Sequence, residues 1–311
     1  MLHFERFSQF LKKQGIPFRE NADIRPYLTF RIGGTVRMLV AAQASAQVRV
    51  SILRLLDGGL PFVVLGGGSN IVFPDEPTEA VVLVCRNSRI EATGDGRLRA
   101  EAGVKNGALL QWCQRAEAGG LEFLAGIPGT VGGSAAVNAG SGGRSLADAL
   151  ATAEIIDEGG NARRVGPDAF GFRYRDSAVK FGGTVILSVD LRCEKAAAGE
   201  VQEKIKQAVE LRQARHPSYS LLSAGCFFKN PLVNGKKVSA GKIIEECGLK
   251  GFRSGDIEVS PVHANFFINR DAGRFSDLEA VAQRVSAEVE RQRGIRLQRE
   301  VVYVSVAGKK Y

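Results

Sequence analysis

The sequence predicts an α+β fold, and three observations carry that expectation. Short apolar runs of β type recur through the middle of the chain, most of them flanked by glycine-rich turns. A single stretch of helical periodicity interrupts those runs. Helix and strand patterns then alternate over the final third. Strands this frequent, with so few helices between them, argue against a uniform βαβ array.

Taken in order, Phe4, Phe7 and Leu11 share one face of an N-terminal helix that Gly15 stops. "LTFRIGGTVRMLV" reads as a strand, a glycine turn and a second strand. Val48, Ile52 and Leu55 or Leu56 line a helix over about 44–56, ended by Gly58 and Gly59. "PFVVLGGGSNIVF" is a buried strand, a glycine loop and a further strand. "AVVLVC", "RLRAEAG", "AEIIDEGG" and "TVILSVDLRCE" are strands, and the interrupting helix lies at about 108–118. A helix is expected over about 201–215, followed by a short one in "GKIIEECG" that Gly248 caps. "IEVSPVHANFFIN" is strand-like. Leu278, Val281, Ala282, Val285 and Val289 then form the apolar face of a longer helix, with Ser276 and Glu279 as its capping box and Gly294 as its stop. "LQREVVYVSV" is the last strand. The alanine- and glycine-rich step at 196–199 marks a boundary between residues 1–198, themselves two α+β parts of about 1–60 and 61–198, and residues 199–311.

The bulk numbers narrow the function classes. A chain of 311 residues has room for two or three compact units. The net charge of +9 suits anionic partners, but the basic residues are scattered, with no basic ribbon to track nucleic acid. Cys85, Cys113, Cys193, Cys226 and Cys247 contain no CxxC pair, which argues against a zinc site and against a disulfide framework. No metal is expected. The N-terminus is charged where a signal peptide needs an apolar core, and no apolar run approaches the ~20 residues that span a bilayer. A cytoplasmic protein without membrane insertion is the expectation.

Two glycine loops stand out. In "LGGGSN", Gly66, Gly67 and Gly68 allow close backbone approach, and Ser69 and Asn70 add donors. Such a nest suits a pyrophosphate, although a tight structural turn has the same composition. No helix follows, so the loop is not a Rossmann fingerprint. Residues 126–143, "GIPGTVGGSAAVNAGSGG", contain seven glycines in eighteen positions. With so few side chains this loop cannot build its own core. It either wraps something flat or passes close to another backbone, and two such loops in one chain favour a large nucleotide cofactor.

Cys226 raises a different question. In "SAGCFFKNP" a thiol follows a glycine and precedes two phenylalanines, a lysine and an asparagine. A packing cysteine needs no such polar neighbours, whereas a reactive one does.

In order along the chain, "LGGGSN", "GIPGTVGGSAAVNAG", "FRYRDSAVK", "AGCFFKNP", "HANFFIN" and "GIRLQREV" resemble the UDP-N-acetylenolpyruvoylglucosamine reductases. The resemblance implies an FAD-binding domain of the vanillyl-alcohol-oxidase type followed by a smaller α/β substrate-binding domain, in the shorter form lacking an extra tyrosine loop. It implies FAD as cofactor, NADPH as reductant and a UDP-sugar as substrate. The flavin would be held by Gly33, Gly66, Gly67, Gly68, Ser69 and Asn70, and by Gly126, Pro128, Gly129, Thr130, Gly132, Gly133, Ala136, Asn138 and Ala139. Tyr174, Lys229 and Asn230 match substrate-binding positions. Arg175 matches the family's catalytic arginine and Glu300 its C-terminal glutamate. Cys226 stands where most members have a serine that donates a proton. Two rivals remain at the level of sequence. One is another flavoenzyme of the same cofactor fold, which would have no need of "YRDS" and a C-terminal glutamate. The other is a flavin-free nucleotide-sugar binding module.

Overall fold

A computed structural model describes residues 2–311, which pack as two compact units. Of the described residues, the first comprises 2–21, 37–67 and 80–211, and the second 22–36, 68–79 and 212–311. The chain therefore passes into the second unit twice before completing the first. The single cut between 198 and 199 expected from the sequence does not describe that interleaving, and the helix Glu200–Gln213 lies mostly in the first unit.

The first unit has two cores. In one, a four-stranded sheet in the order Phe18–Asp23, Thr35–Ala42, Thr78–Cys85, Phe62–Leu65 carries the helices Leu2–Lys13 and Ser45–Asp57. Phe7, Leu11, Val48, Ile52 and Leu55 bury their apolar faces against Met38, Val40, Val81 and Leu83. The other is built on an antiparallel five-stranded sheet in the order Ala162–Val165, Leu150–Ile156, Val185–Arg192, Arg97–Glu101, Ile90–Gly94. Val185–Arg192 serves both cores. An irregularity in its pairing, where Ile155 faces Ile186 but Glu154 faces Ser188, reverses the alternation. Val185 and Leu187 thereby enter the first core, while Val189 and Leu191 enter the second.

The second unit holds a three-stranded antiparallel sheet, Arg253–Ser254, Ile257–Val259 and Phe267–Asn269, and a parallel pair, Ile71–Val72 with Val302–Tyr303. The helices Ala240–Glu246 and Phe275–Arg293 pack over a core that includes Phe227, Phe228, Phe267, Leu278, Val281, Val285, Val289 and Tyr303.

Several local expectations change. Residues 28–30 of "LTFRIGG" form no strand; Phe30 and Ile32 are fully buried there without a ladder, and the strand of that region is Phe18–Asp23. Residues 126–143 are not all loop, because Val131–Ala136 is a short helix whose Val131 and Ala135 join the core. The capping box falls two residues earlier than Ser276 and Glu279. Helix Phe275–Arg293 takes its first-turn acceptor from Asp277, whose carboxylate receives the Arg274 N–H at 3.0 Å. Asp75 adds a second acceptor, for the N–H groups of Phe275 at 2.9 Å and Ser276 at 3.3 Å. "IEVSPVHANFFIN" breaks into two strands around a turn, and "LQREVVYVSV" keeps only Val302–Tyr303 as a named strand. Among the described residues, no helix is long and apolar enough to cross a membrane.

Candidate functional site

In the first unit the two glycine loops meet. A Cβ on Gly67 would lie 2.5 Å from the Gly129 Cα, and one on Gly66 would lie 2.3 Å from Thr130 Oγ1. Gly66 and Gly67 can carry no side chain at this crossing, a close approach of the kind that glycine allows. Buried Asn106 fixes the second loop. Its N–H donates to Gly129 C=O at 3.1 Å, and its side-chain amide donates to Ile127 C=O at 3.1 Å and Ser134 Oγ at 2.9 Å. Gly132 is bare for packing reasons, since a Cβ there would come within 2.6 Å of Ala102 Cβ. Gly133 and Pro128 are exposed, and Gly126, Gly129 and Ala136 are half-buried. The outcome is a nearly side-chain-free surface around 66–67 and 126–133, which fits a flat ring system or a pyrophosphate.

Gly67→Ala is expected to lower the melting temperature by an amount equivalent to about 1–3 kcal/mol, the usual cost of overpacking a tight contact. It is also expected to weaken retention of the FAD that the sequence resemblance implies. Thermal unfolding and flavin content after gel filtration measure the two effects; an alanine variant matching the parent in both would remove the argument for a backbone crossing.

Arg175 sits beside this surface on a tight turn. Arg173 N–H and Asp176 N–H pair with each other's carbonyls at 3.0 and 3.2 Å, and Arg175 between them has φ 54°, a left-handed conformation rare for a side-chain-bearing residue. The turn is docked on residues 136–140. Ser177 Oγ donates to Ala136 C=O at 2.6 Å, Asn138 Nδ2 donates to Arg173 C=O at 2.9 Å, and Arg175 Nη2 donates to Gly140 C=O at 2.6 Å. Asn138 Oδ1 also receives the Ala147 N–H at 3.0 Å. Asn138 and Ala139 are buried and Tyr174 is exposed, with the Arg175 guanidinium 6.0 Å from its ring centre.

The second unit gathers Cys226, Lys229, Asn230, Glu300 and Asn70. Residues 226–229 run between two other segments. Cys226 bridges Phe266 on one side and Phe228 bridges Arg299 on the other. Glu300 N–H donates to Phe227 C=O, and Lys229 N–H to Gln298 C=O, both at 2.8 Å. Asn70 attaches to the same segment, receiving the Val302 N–H at 3.0 Å and donating from Nδ2 to Glu300 C=O at 3.4 Å. Cys226, Lys229 and Glu300 are half-buried. Asn230 Oδ1 accepts the Ala240 N–H at 2.9 Å and so also anchors the start of the helix Ala240–Glu246. Gly33 packs against Ile24 and Phe73 in this unit. Gly68 and Ser69 belong to it as well, and Thr29 Oγ1 ties their loop to the cysteine segment by donating to Ser223 C=O at 2.7 Å.

Next to Phe266 lie two histidine rings. His216 and His263 are 5.3 Å apart, and each is 5.1 Å from the Phe266 ring. Burial, reinforced by Arg212 and by His263, lowers the His216 pKa to about 4, and burial lowers that of His263 as well. The unfolded chain takes up these protons first. Their contribution to stability is therefore complete above pH ~6.5 and lost as pH falls from there toward ~4. Melting temperature is expected to fall through that window, and less steeply in His216→Phe; an equal slope in both proteins would assign the acid sensitivity to other groups.

The sequence did not mark Asn106 or Asn265. Each is an asparagine inside an apolar pattern, and complete burial (about 1% exposed for both) is what distinguishes it from a turn residue.

Residues 36–166 match the family model described as an FAD binding domain, and residues 216–304 match the C-terminal domain of UDP-N-acetylenolpyruvoylglucosamine reductase. The UDP-N-acetylenolpyruvoylglucosamine reductase of Pelobacter propionicus is 33% identical over 88% of this chain and 91% of its own length. That of Syntrophobacter fumaroxidans is 33% identical over 94% of this chain and 85% of its own. The crystal structure of the reductase from Thermus caldophilus superposes with a TM-score of 0.76 at 29% identity, over 93% of this chain and 98% of that one.

Proposed function

Because the chain belongs to the UDP-N-acetylenolpyruvoylglucosamine reductase family, we propose that it reduces the enolpyruvyl ether of UDP-N-acetylglucosamine to UDP-N-acetylmuramate for peptidoglycan synthesis, with NADPH as reductant. It is an FAD-dependent oxidoreductase of that family. When bound, FAD supplies the hydride chemistry; Gly66, Gly67, residues 126–133, Asn138 and Ala139 are the residues of the first unit that would hold it.

The remaining chemistry falls to side chains. Hydride addition at C3 of the enolpyruvyl group leaves negative charge at C2 that spreads onto the carboxylate. Arg175, a permanent cation with a planar fork of donors, stabilises that charge better than a lysine point charge would. Glu300, in its protonated form, donates a hydrogen bond to the same intermediate. Cys226 then delivers a proton to C2. A thiol with an ordinary pKa near ~8.5 is mostly S–H at neutral pH and yields its proton more readily than an alcohol. Tyr174, Lys229 and Asn230 bind the substrate, Lys229 offering a charge for the diphosphate.

The observation that carries this reading is the hydrogen-bonded pairing of residues 227–229, next to Cys226, with 298–300, which supports an acid and a carboxyl group acting on one centre. Stopped-flow absorbance of the FAD-loaded protein tests it. NADPH should bleach the flavin, and the UDP-enolpyruvyl sugar should restore its colour with formation of the lactyl ether. Flavin that is reduced but not reoxidised by this substrate would exclude the proposed reaction.

A further inference from the structure

We infer that Asn265 is a positioning residue for the proton donor: its buried side-chain amide acts as a piece of neighbouring strand and holds the main chain of residues 226–229 in register before substrate binds. The inference rests on the roles proposed for Cys226 and Glu300.

The backbone of this segment has two edges. Toward 298–300 it offers Phe227 C=O and Lys229 N–H, both paired at 2.8 Å. Because a strand's groups alternate in direction, the Phe228 N–H and C=O must point the other way. Phe228 is only 3% exposed, so neither group can rely on water. Asn265 satisfies both. Its Oδ1 accepts the Phe228 N–H at 2.9 Å, and its Nδ2 donates to Phe228 C=O at 2.8 Å. Its main chain contributes a third bond, Asn265 C=O accepting the Phe227 N–H at 2.7 Å. Its own N–H is held by His263 Nδ1 at 3.2 Å.

A primary amide is the one short side chain that presents an acceptor and a two-proton donor side by side, as a peptide edge does. Aspartate has the same shape, but its ionised form cannot donate and sets an oxygen against Phe228 C=O. Leucine fills the space and pairs with neither group. The requirement at 265 is thus chemical rather than steric. Since Cys226 lies two residues before Phe228, and Glu300 bonds to Phe227, slack in this clamp reaches both groups.

The test is Asn265→Asp in the FAD-loaded enzyme. Flavin reduction by NADPH should proceed at the parent rate, while reoxidation by the UDP-enolpyruvyl sugar should slow by about 10- to 100-fold, the scale of a misplacement near 1 Å. The loss should appear in kcat more than in KM. Equal slowing of both half-reactions, or no slowing, would overturn the inference. Hydrogen exchange on the parent decides the matter even if the variant does not fold. The Phe227 and Phe228 amides should be protected without substrate; exchange that is fast until substrate is added would show that no clamp is preset. Parent flavin that ignores the enolpyruvyl sugar would count against the functional reading alone, and exchange would still judge Asn265.

Discussion

Replacing Cys226 by alanine is expected to slow reoxidation of the reduced flavin by the UDP-enolpyruvyl sugar by about 10²- to 10⁴-fold, the usual contribution of a general acid. Reduction of the flavin by NADPH should be unaffected, because no proton is delivered to C2 in that half-reaction. The substitution is a mild structural change. The side chain is small and half-buried, and the bridge to Phe266 that holds the segment is made by main chain. Cys226→Ser should keep much of the activity, since a hydroxyl occupies the same place and makes stronger hydrogen bonds, although it releases its proton less readily. The serine variant should also resist inactivation by peroxide, which attacks the thiol. Single-turnover stopped-flow measurements separate the half-reactions. Reoxidation of Cys226→Ala at the parent rate would show that the proton comes from another group.

Arg175→Lys is expected to be nearly as damaging, with a fall in the reoxidation rate of about 10²- to 10³-fold, comparable to removal of one oxyanion donor. Charge is conserved in this variant; geometry is not. The guanidinium presents its donors in a fixed plane, one of them bonded to Gly140 C=O at 2.6 Å. A lysine ammonium that reached Gly140 would have no second fork to offer the enolate. One that reached the enolate would release the turn from residues 136–140. The left-handed backbone at position 175 is equally strained for either residue, so the comparison isolates the head group. The effect should fall on kcat, because the charge to be stabilised develops only after hydride addition. Unchanged kcat with raised KM would make Arg175 a ground-state binding residue instead.

The candidate site was marked in order along the chain. The bare glycine loops and the thiol among polar neighbours stand out because the residue type is wrong for a packed core, whereas Arg175 was marked only by the resemblance of "FRYRDSAVK" to the family. Helices were legible for a similar reason. Val48, Ile52 and Leu55, or Leu278, Val281, Val285 and Val289, repeat at the helical period and are buried on that face. Local period is a property of neighbouring residues and needs no knowledge of the rest of the chain.

Capping and strand pairing were less legible, because their partners lie elsewhere. Ser276 and Glu279 have the right spacing for a box, yet Asp277 and the remote Asp75 take the N–H groups. "LTF" has strand-like residues but joins no ladder, its Thr29 N–H going instead to Gly68 C=O at 3.1 Å. The same limit hid Asn265, whose importance lies in a peptide group far along the chain.

By itself, then, the sequence located the longer helices, the two stretches too poor in side chains to build a core, and a thiol among polar neighbours. Only the tertiary structure decided that residues 22–36 and 68–79 leave the first unit for the second, and that Glu300 bonds to the strand bearing Cys226. The reason is physical. Periodicity and conformational preference act over a few residues, whereas a buried N–H or C=O accepts whichever partner folding brings within about 3 Å, however distant in sequence.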